Sequence, residues 1–218
     1  MTIGSMHGRA VAPRPPQIFE TSSFADAAAA LARGGRVLYT GKSAQCAKSH
    51  FKPVYWSTGH FKSANAELSS LGYAVQCAHP ALRGFPTEDW ADWQWYHLVE
   101  GGVKHLVSGL SDDFEPIVMP VGDLHYSTLM GSLFEVKVGK GRLMVCGLNL
   151  SDTNRPEVRA LRASILNYMA SDAFNPKTEV GMDWLTGVFA PQVAVDAMRP
   201  REIADANVAR FSGRGRQR

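Results

Sequence analysis

The sequence predicts an α/β domain: an open, mostly parallel sheet flanked by helices, with a β-hairpin in its C-terminal half. Three observations lead there. An alanine-rich helix signal at residues 27–31 meets Gly34-Gly35 and passes directly into Arg36-Val-Leu-Tyr-Thr-Gly41, a short β-rich run. A helix feeding a strand in this way is the pattern of a parallel α/β sheet. Leu133-Phe-Glu-Val-Lys-Val138 alternates apolar and polar residues, and Gly139-Lys-Gly141 turns it back into Arg142-Leu-Met-Val-Cys-Gly147, which together read as a hairpin. Residues 155–169 then place Val158, Leu161, Ile165, Leu166 and Met169 on one face of a helix that would cover the sheet.

Taken in order, residues 1–22 read as an extended leader without a fold of its own. Pro13, Pro15 and Pro16 stiffen it, and Gly4 and Gly8 loosen it. Ser23 or Asp26 offers an N-cap to the first helix, and Gly34-Gly35 ends it. Residues 36–40 follow as an inner strand. From residue 41 to about residue 66 the chain is polar around one apolar island, Pro53-Val-Tyr-Trp56. This stretch reads as an excursion over the C-terminal edge of the sheet, where open α/β sheets place ligands. A second strand is expected near Gly72-Tyr-Ala-Val-Gln-Cys77, and residues 90–99 fit an aromatic-rich helix or a wrapped loop. Another short strand is expected around Pro116-Ile-Val-Met-Pro120, and Trp184, Leu185, Val188 and Phe189 mark a last short helix. Residues 191–218 are weakly apolar, end in Gly-Arg repeats and read as a tail, which leaves 23–190 as the α/β domain.

A chain of 218 residues with a hydrophobic fraction of 45% fits one domain with a sizeable core. Much of the net charge of +3 comes from Arg210, Arg214, Arg216 and Arg218, so no nucleic-acid partner is expected. No apolar run approaches the roughly 20 residues that cross a bilayer, and the first residues lack the pattern of a signal peptide. The expectation is a cytoplasmic protein without a membrane partner, with a homo-oligomer left open. Cys46, Cys77 and Cys146 are too few and too scattered for a disulfide framework or a zinc knuckle, so reduced thiols are expected.

Several stretches together carry a family resemblance. His79-Pro-Ala-Leu-Arg-Gly-Phe-Pro-Thr-Glu88 runs into Asp92-Trp-Gln-Trp95, and the hairpin from Leu133 to Cys146 follows. Arg155-Pro156 then opens the helix that ends in Asn167-Tyr-Met169, with Phe174-Asn-Pro176 beyond and Pro53-Val-Tyr-Trp-Ser57 upstream. This succession resembles the C-terminal amidotransferase-like (flavodoxin-like) domain of bacterial family 2 glycoside hydrolases of the β-galactosidase type, here as a stand-alone chain, over roughly residues 36–180. The resemblance implies a fold more than an activity. Family 2 chemistry needs two carboxylates on a (β/α) barrel that this chain does not contain. Amidotransferases need a cysteine on a strained strand-to-helix turn, and none of the three cysteines sits in a Gly-x-Cys-x-Gly elbow. Cys46, with His50 four residues on, comes nearest.

The densest chemistry lies in Glu88, Asp89, Trp90, Asp92, Trp93, Trp95, Tyr96 and His97. Indole faces beside carboxylates suit a sugar-binding cleft, with Trp56, Trp90, Trp93 and Trp95 as the substrate-binding residues. The competing reading has the tryptophans in the core and the carboxylates capping or facing water. Glu88, Asp89 and Asp92 are also candidate oxygen ligands for a hard cation such as Ca²⁺, although their spacing is not that of an EF-hand. As catalytic candidates, His50, Ser57, His60 and His79 lie near the expected loop edge, where an imidazole activates a water or a hydroxyl. No Gly-x-Ser-x-Gly elbow and no His-x-His-x-Asp-His array is present. Two functions follow as expectations. One is an accessory domain related to glycoside hydrolases that binds carbohydrate without glycosidase chemistry of its own. The alternative is a small hydrolase of esters or lactones, of the acyl-homoserine-lactone type, with a divalent metal such as calcium. The ligand in either case is a small molecule, a sugar or a lactone.

Overall fold

The computed structural model describes residues 16–44, 46–51, 70–107, 109–110, 113–122 and 128–190. β1 (Ile18–Thr21) leads into α1 (Phe24–Ala32), whose N-cap Ser23 accepts a hydrogen bond from the Asp26 backbone N–H. Gly34, at φ +81°, releases the chain from the helix into β2 (Arg36–Tyr39). β3 (Cys46–Lys48) and β4 (Ser70–Val75) follow, then 3₁₀ turns at Pro80–Leu82 and Trp93–Trp95, and the single-turn α2 (Tyr96–Val99). β5 (Val103–Leu106), β6 (Val118–Gly122) and β7 (Met130–Gly131) precede the hairpin of β8 (Leu133–Val138) and β9 (Gly141–Cys146). α3 (Pro156–Ala170), β10 (Glu179–Val180) and α4 (Met182–Phe189) complete the order.

Among the described residues the main sheet has the strand order β1-β2-β9-β8-β6-β4, with β10 also paired to β8. β1–β2, β2–β9 and β8–β10 are parallel, whereas β8–β9, β6–β8 and β4–β6 are antiparallel. The sheet is therefore mixed, which corrects the mostly parallel sheet expected from sequence. The cause is the hairpin: a two-residue loop between Val138 and Gly141 makes its strands antiparallel neighbours, and β6 and β4 continue that alternation. β2 lies inside the sheet and the hairpin pairs as expected. β1 falls within the stretch read as a leader and places residues 18–21 in the sheet, against β2. β3, β5 and β7 form a small second sheet.

Side-chain alternation gives the main sheet two covered faces. Leu38, Leu133, Met144 and Cys146 pack with Val158, Leu161, Ile165 and Met169 of α3. Val37, Tyr39, Val136, Leu143 and Val145 face the other way, toward α1 and α4. The register along β8 leaves part of one edge open. β6 meets β8 only at Leu133, and β10 meets it only at Lys137 and Val138. Among the described residues, the stretch of β8 around Glu135 has no strand partner on that edge, so the sheet has a notch there.

Candidate functional site

Residues 89–91 run along the free edge of β4. The Val75 N–H donates to the Asp89 carbonyl, the Ala91 N–H donates to the Tyr73 carbonyl, and Ala74 bridges Trp90. This leaves the Trp90 side chain 59% exposed. Asp92 then caps the 3₁₀ turn, accepting from the Gln94 N–H at 3.1 Å. The tight turn sends its two tryptophans in different directions. Trp95 is wholly buried, edge-to-face on Phe85, with its indole N–H donating to Thr87 Oγ at 2.9 Å. Trp93 is 79% exposed, and its ring lies 5.6 Å from Phe51 and 6.1 Å from Tyr96. Phe51 and Tyr96 meet at 5.5 Å. Glu100, at the end of α2, fixes this cluster: its Oε1 accepts from the Phe51 N–H at 2.8 Å, while its own carbonyl accepts from Asn149 Nδ2. The result is an exposed indole on a braced aromatic base.

The other residues chosen from sequence fare differently. Trp95 is a core residue with a satisfied N–H, which corrects its assignment to substrate binding. Trp56, Ser57 and His60 lie outside the described residues. No group of three or more His, Cys, Asp or Glu among the described residues is placed to hold a metal ion, so Glu88, Asp89 and Asp92 do not form the expected oxygen-ligand site. Asp92 is committed to its cap. His50 is exposed, with Nδ1 3.8 Å from Glu100 Oε2. His79 sits elsewhere, beside Glu135 and Tyr168. Cys46 pairs across the small sheet with His105, and burial raises its thiol pKa, opposite to what a thiolate nucleophile needs.

His79 belongs to a second feature, a cleft of about 450 Å³ over the notch in β8. Its Nδ1 accepts from the Ala81 N–H at 3.2 Å, which caps the first 3₁₀ turn and keeps the ring proton on Nε2. Burial lowers its pKa, consistent with a neutral ring. Nε2 lies 3.9 Å from Glu135 Oε1, with both side chains mostly covered, at 17% and 14% exposure. The Tyr168 hydroxyl donates to both Glu135 oxygens, at 3.1 and 2.9 Å. Burial pushes Glu135 up to about 7, and the Tyr168 hydrogen bond opposes that rise. Tyr168 is itself raised, first by burial and then by the Glu135 charge. Arginines pin the end of α3 that carries it: Arg36 Nη1 donates to the Met169 and Ser171 carbonyls, and Arg142 Nη1 to that of Phe174.

Glu135 and Tyr168 were not singled out from sequence, though each left a trace. Glu135 interrupts a strand whose hairpin partner is apolar throughout its middle, so its face is covered. Tyr168 lies seven residues after Leu161 on the apolar face of α3, where a buried hydroxyl needs a partner.

Against known families, the chain matches the one described as Domain of unknown function (DUF8487) over residues 19–190. No curated protein matches it.

Proposed function

The chain belongs to the DUF8487 family, and we propose that it is an amidotransferase-like accessory domain that binds carbohydrate through the Trp93 platform and has no glycosidase chemistry of its own. The observation that carries this reading is the 79% exposure of Trp93 on a base of Phe51 and Tyr96 held by Glu100. An indole face open to water on a braced aromatic base is the kind of surface on which the apolar face of a pyranose stacks. Trp90, three residues earlier, is also exposed. The resemblance to a glycoside hydrolase appendage supports the same ligand class.

The test is retention of the protein in native gels cast with soluble galactans, glucans and xylans. At least one polysaccharide is expected to slow the wild type. Trp93→Ala is expected to migrate as in a blank gel, with its melting temperature nearly unchanged. Retention of Trp93→Ala equal to wild type would show that the platform is not the binding surface.

A further inference from the structure

The cleft over the notch in β8 contains a gap of a particular size. Glu135 Oε1 and His79 Nε2 face each other at 3.9 Å, too far for a hydrogen bond between them. That spacing accommodates a single oxygen at about 2.8 Å from each. The chemistry of the two sides differs. His79 Nε2 carries the ring proton and is a donor, because Nδ1 is occupied by the Ala81 N–H. Glu135 accepts from the Tyr168 hydroxyl and retains acceptor capacity. Where Glu135 is ionised, an oxygen seated between them accepts from nitrogen and donates to the carboxylate, as a sugar hydroxyl or a water does.

We propose that this cleft is a second carbohydrate site, in which one hydroxyl of a monosaccharide-sized ligand bridges His79 Nε2 and Glu135. The choice of a sugar as the hydroxyl bearer rests on the reading of the Trp93 platform. The bridge itself rests on the geometry of the cleft. Its volume of about 450 Å³ holds a pyranose ring with room for ordered water. Its walls mix what sugar sites use: Phe114 and Ile117 are apolar, and Asp113, Asn175, Lys177 and Thr178 supply donors and acceptors. The site is built as well as open. Tyr168 packs edge-to-face between His79 and Phe174, at 5.3 and 5.4 Å, so the group orienting the acceptor also touches the donor's ring. Tyr168 on α3 and His79 at the 3₁₀ turn Pro80–Leu82 come from elements that are themselves joined, with Ser164 Oγ donating to the Ala81 carbonyl at 2.7 Å, and Glu135 comes from β8.

The experiment is calorimetric titration of the full chain with methyl β-galactoside and methyl β-glucoside, each too small to need the platform. The wild type is expected to bind at least one of them. Glu135→Gln turns half of the acceptor into a donor, and His79→Asn keeps a capping oxygen for the Ala81 N–H while withdrawing the Nε2 donor. Each is expected to weaken binding tenfold or more, with melting temperatures confirming that both variants fold. Trp93→Ala removes the platform, so the monosaccharide affinity that remains in it is assigned to the cleft. Monosaccharide binding lost in Trp93→Ala and kept in Glu135→Gln would overturn the cleft while leaving the platform standing. Absence of any monosaccharide binding by the wild type would overturn the cleft as well, whatever the polysaccharide gels show.

Discussion

Trp93 and Trp95 are two residues apart and do opposite things, and their mutants should say so. Trp95 is enclosed by core and bonded to Thr87, so Trp95→Ala is expected to cost about 3–5 kcal/mol. Trp93→Ala is expected to cost about 0.5 kcal/mol or less, as for an exposed site, while removing the exposed indole of the proposed platform. Urea unfolding of both variants checks the pair. A stability loss in Trp93→Ala as large as in Trp95→Ala would mean that the exposed indole is structural.

Two buried charges make a second prediction at this scale. Glu135 is raised from 4.5 to about 7, so the folded state holds its proton across a window in which the unfolded chain has released it. Glu135 by itself therefore contributes a fall in stability as pH rises through that window, on the order of 3 kcal/mol in total, and buried His105, lowered from 6.5 to about 4, opposes it over much of the same range. The groups facing Glu135 are Tyr168 from α3, His79 from the 3₁₀ turn and, beyond Tyr168, Arg142 from β9, with Asp113, Glu115 and Lys177 on the rim. Lys104 behaves inversely. It is buried, its ammonium donates to Ser70 Oγ at 3.0 Å, and desolvation lowers its pKa from 10.5 to about 8. The unfolded chain then holds more protons between those values, and stability rises with pH there. Glu135→Gln is expected to make stability rise more steeply with pH across the first window and Lys104→Met to flatten the second slope, in unfolding curves measured from pH 4.5 to 10.5. A first window unchanged in Glu135→Gln would assign that contribution to another group.

At the scale of elements, two glycines with open space around them predict opposite signs. Gly139 turns the β8–β9 hairpin at φ +55°, and no atom lies within 4 Å of where a Cβ would stand. Gly139→Ala is thus a purely conformational test and is expected to destabilise by about 1 kcal/mol. Gly187 is exposed within α4, also with nothing within 4 Å, and Gly187→Ala is expected to stabilise by about 0.5–1 kcal/mol. Thermal unfolding of the two variants gives the comparison, and a shared sign would contradict the turn or the helix. These elements were also the legible ones. Ser23, Gly34 and the alternation from Leu133 to Val138 are local signals that act within a few residues, and each appears in the fold as its chemistry dictates. Strand direction was less legible. Whether β6 runs with or against β8, and β4 with or against β6, depends on pairing partners outside each strand's own sequence, which no local pattern records. The cleft suffered from the same distance: Glu135 reads as an odd polar residue until Tyr168, 33 positions later, is laid over it. Trp95 was misassigned for the contrary reason, because residues 90–99 read as an aromatic-rich helix or a wrapped loop and a 3₁₀ turn sends Trp93 and Trp95 apart.

Across the whole molecule, both cores are drawn from residues 18–189, and the family match spans nearly the same stretch, 19–190. A fragment of residues 16–190 is accordingly expected to fold with a melting temperature within a few degrees of the full chain, equivalent to about 1 kcal/mol. A fragment that fails to fold would show that the cores need more chain than this. The arrangement also separates the two surfaces: the aromatic platform grows from the β4 edge and α2, and the cleft opens where β6 and β10 part along β8. If the exposed indole is there to bind sugar, its own emission should report the event. The decisive measurement is tryptophan fluorescence of the wild type and Trp93→Ala during titration with the oligosaccharide of whichever polysaccharide retains the protein. A saturable change is expected in the wild type and none in Trp93→Ala. An identical, saturable response in both proteins would contradict sugar binding at the platform.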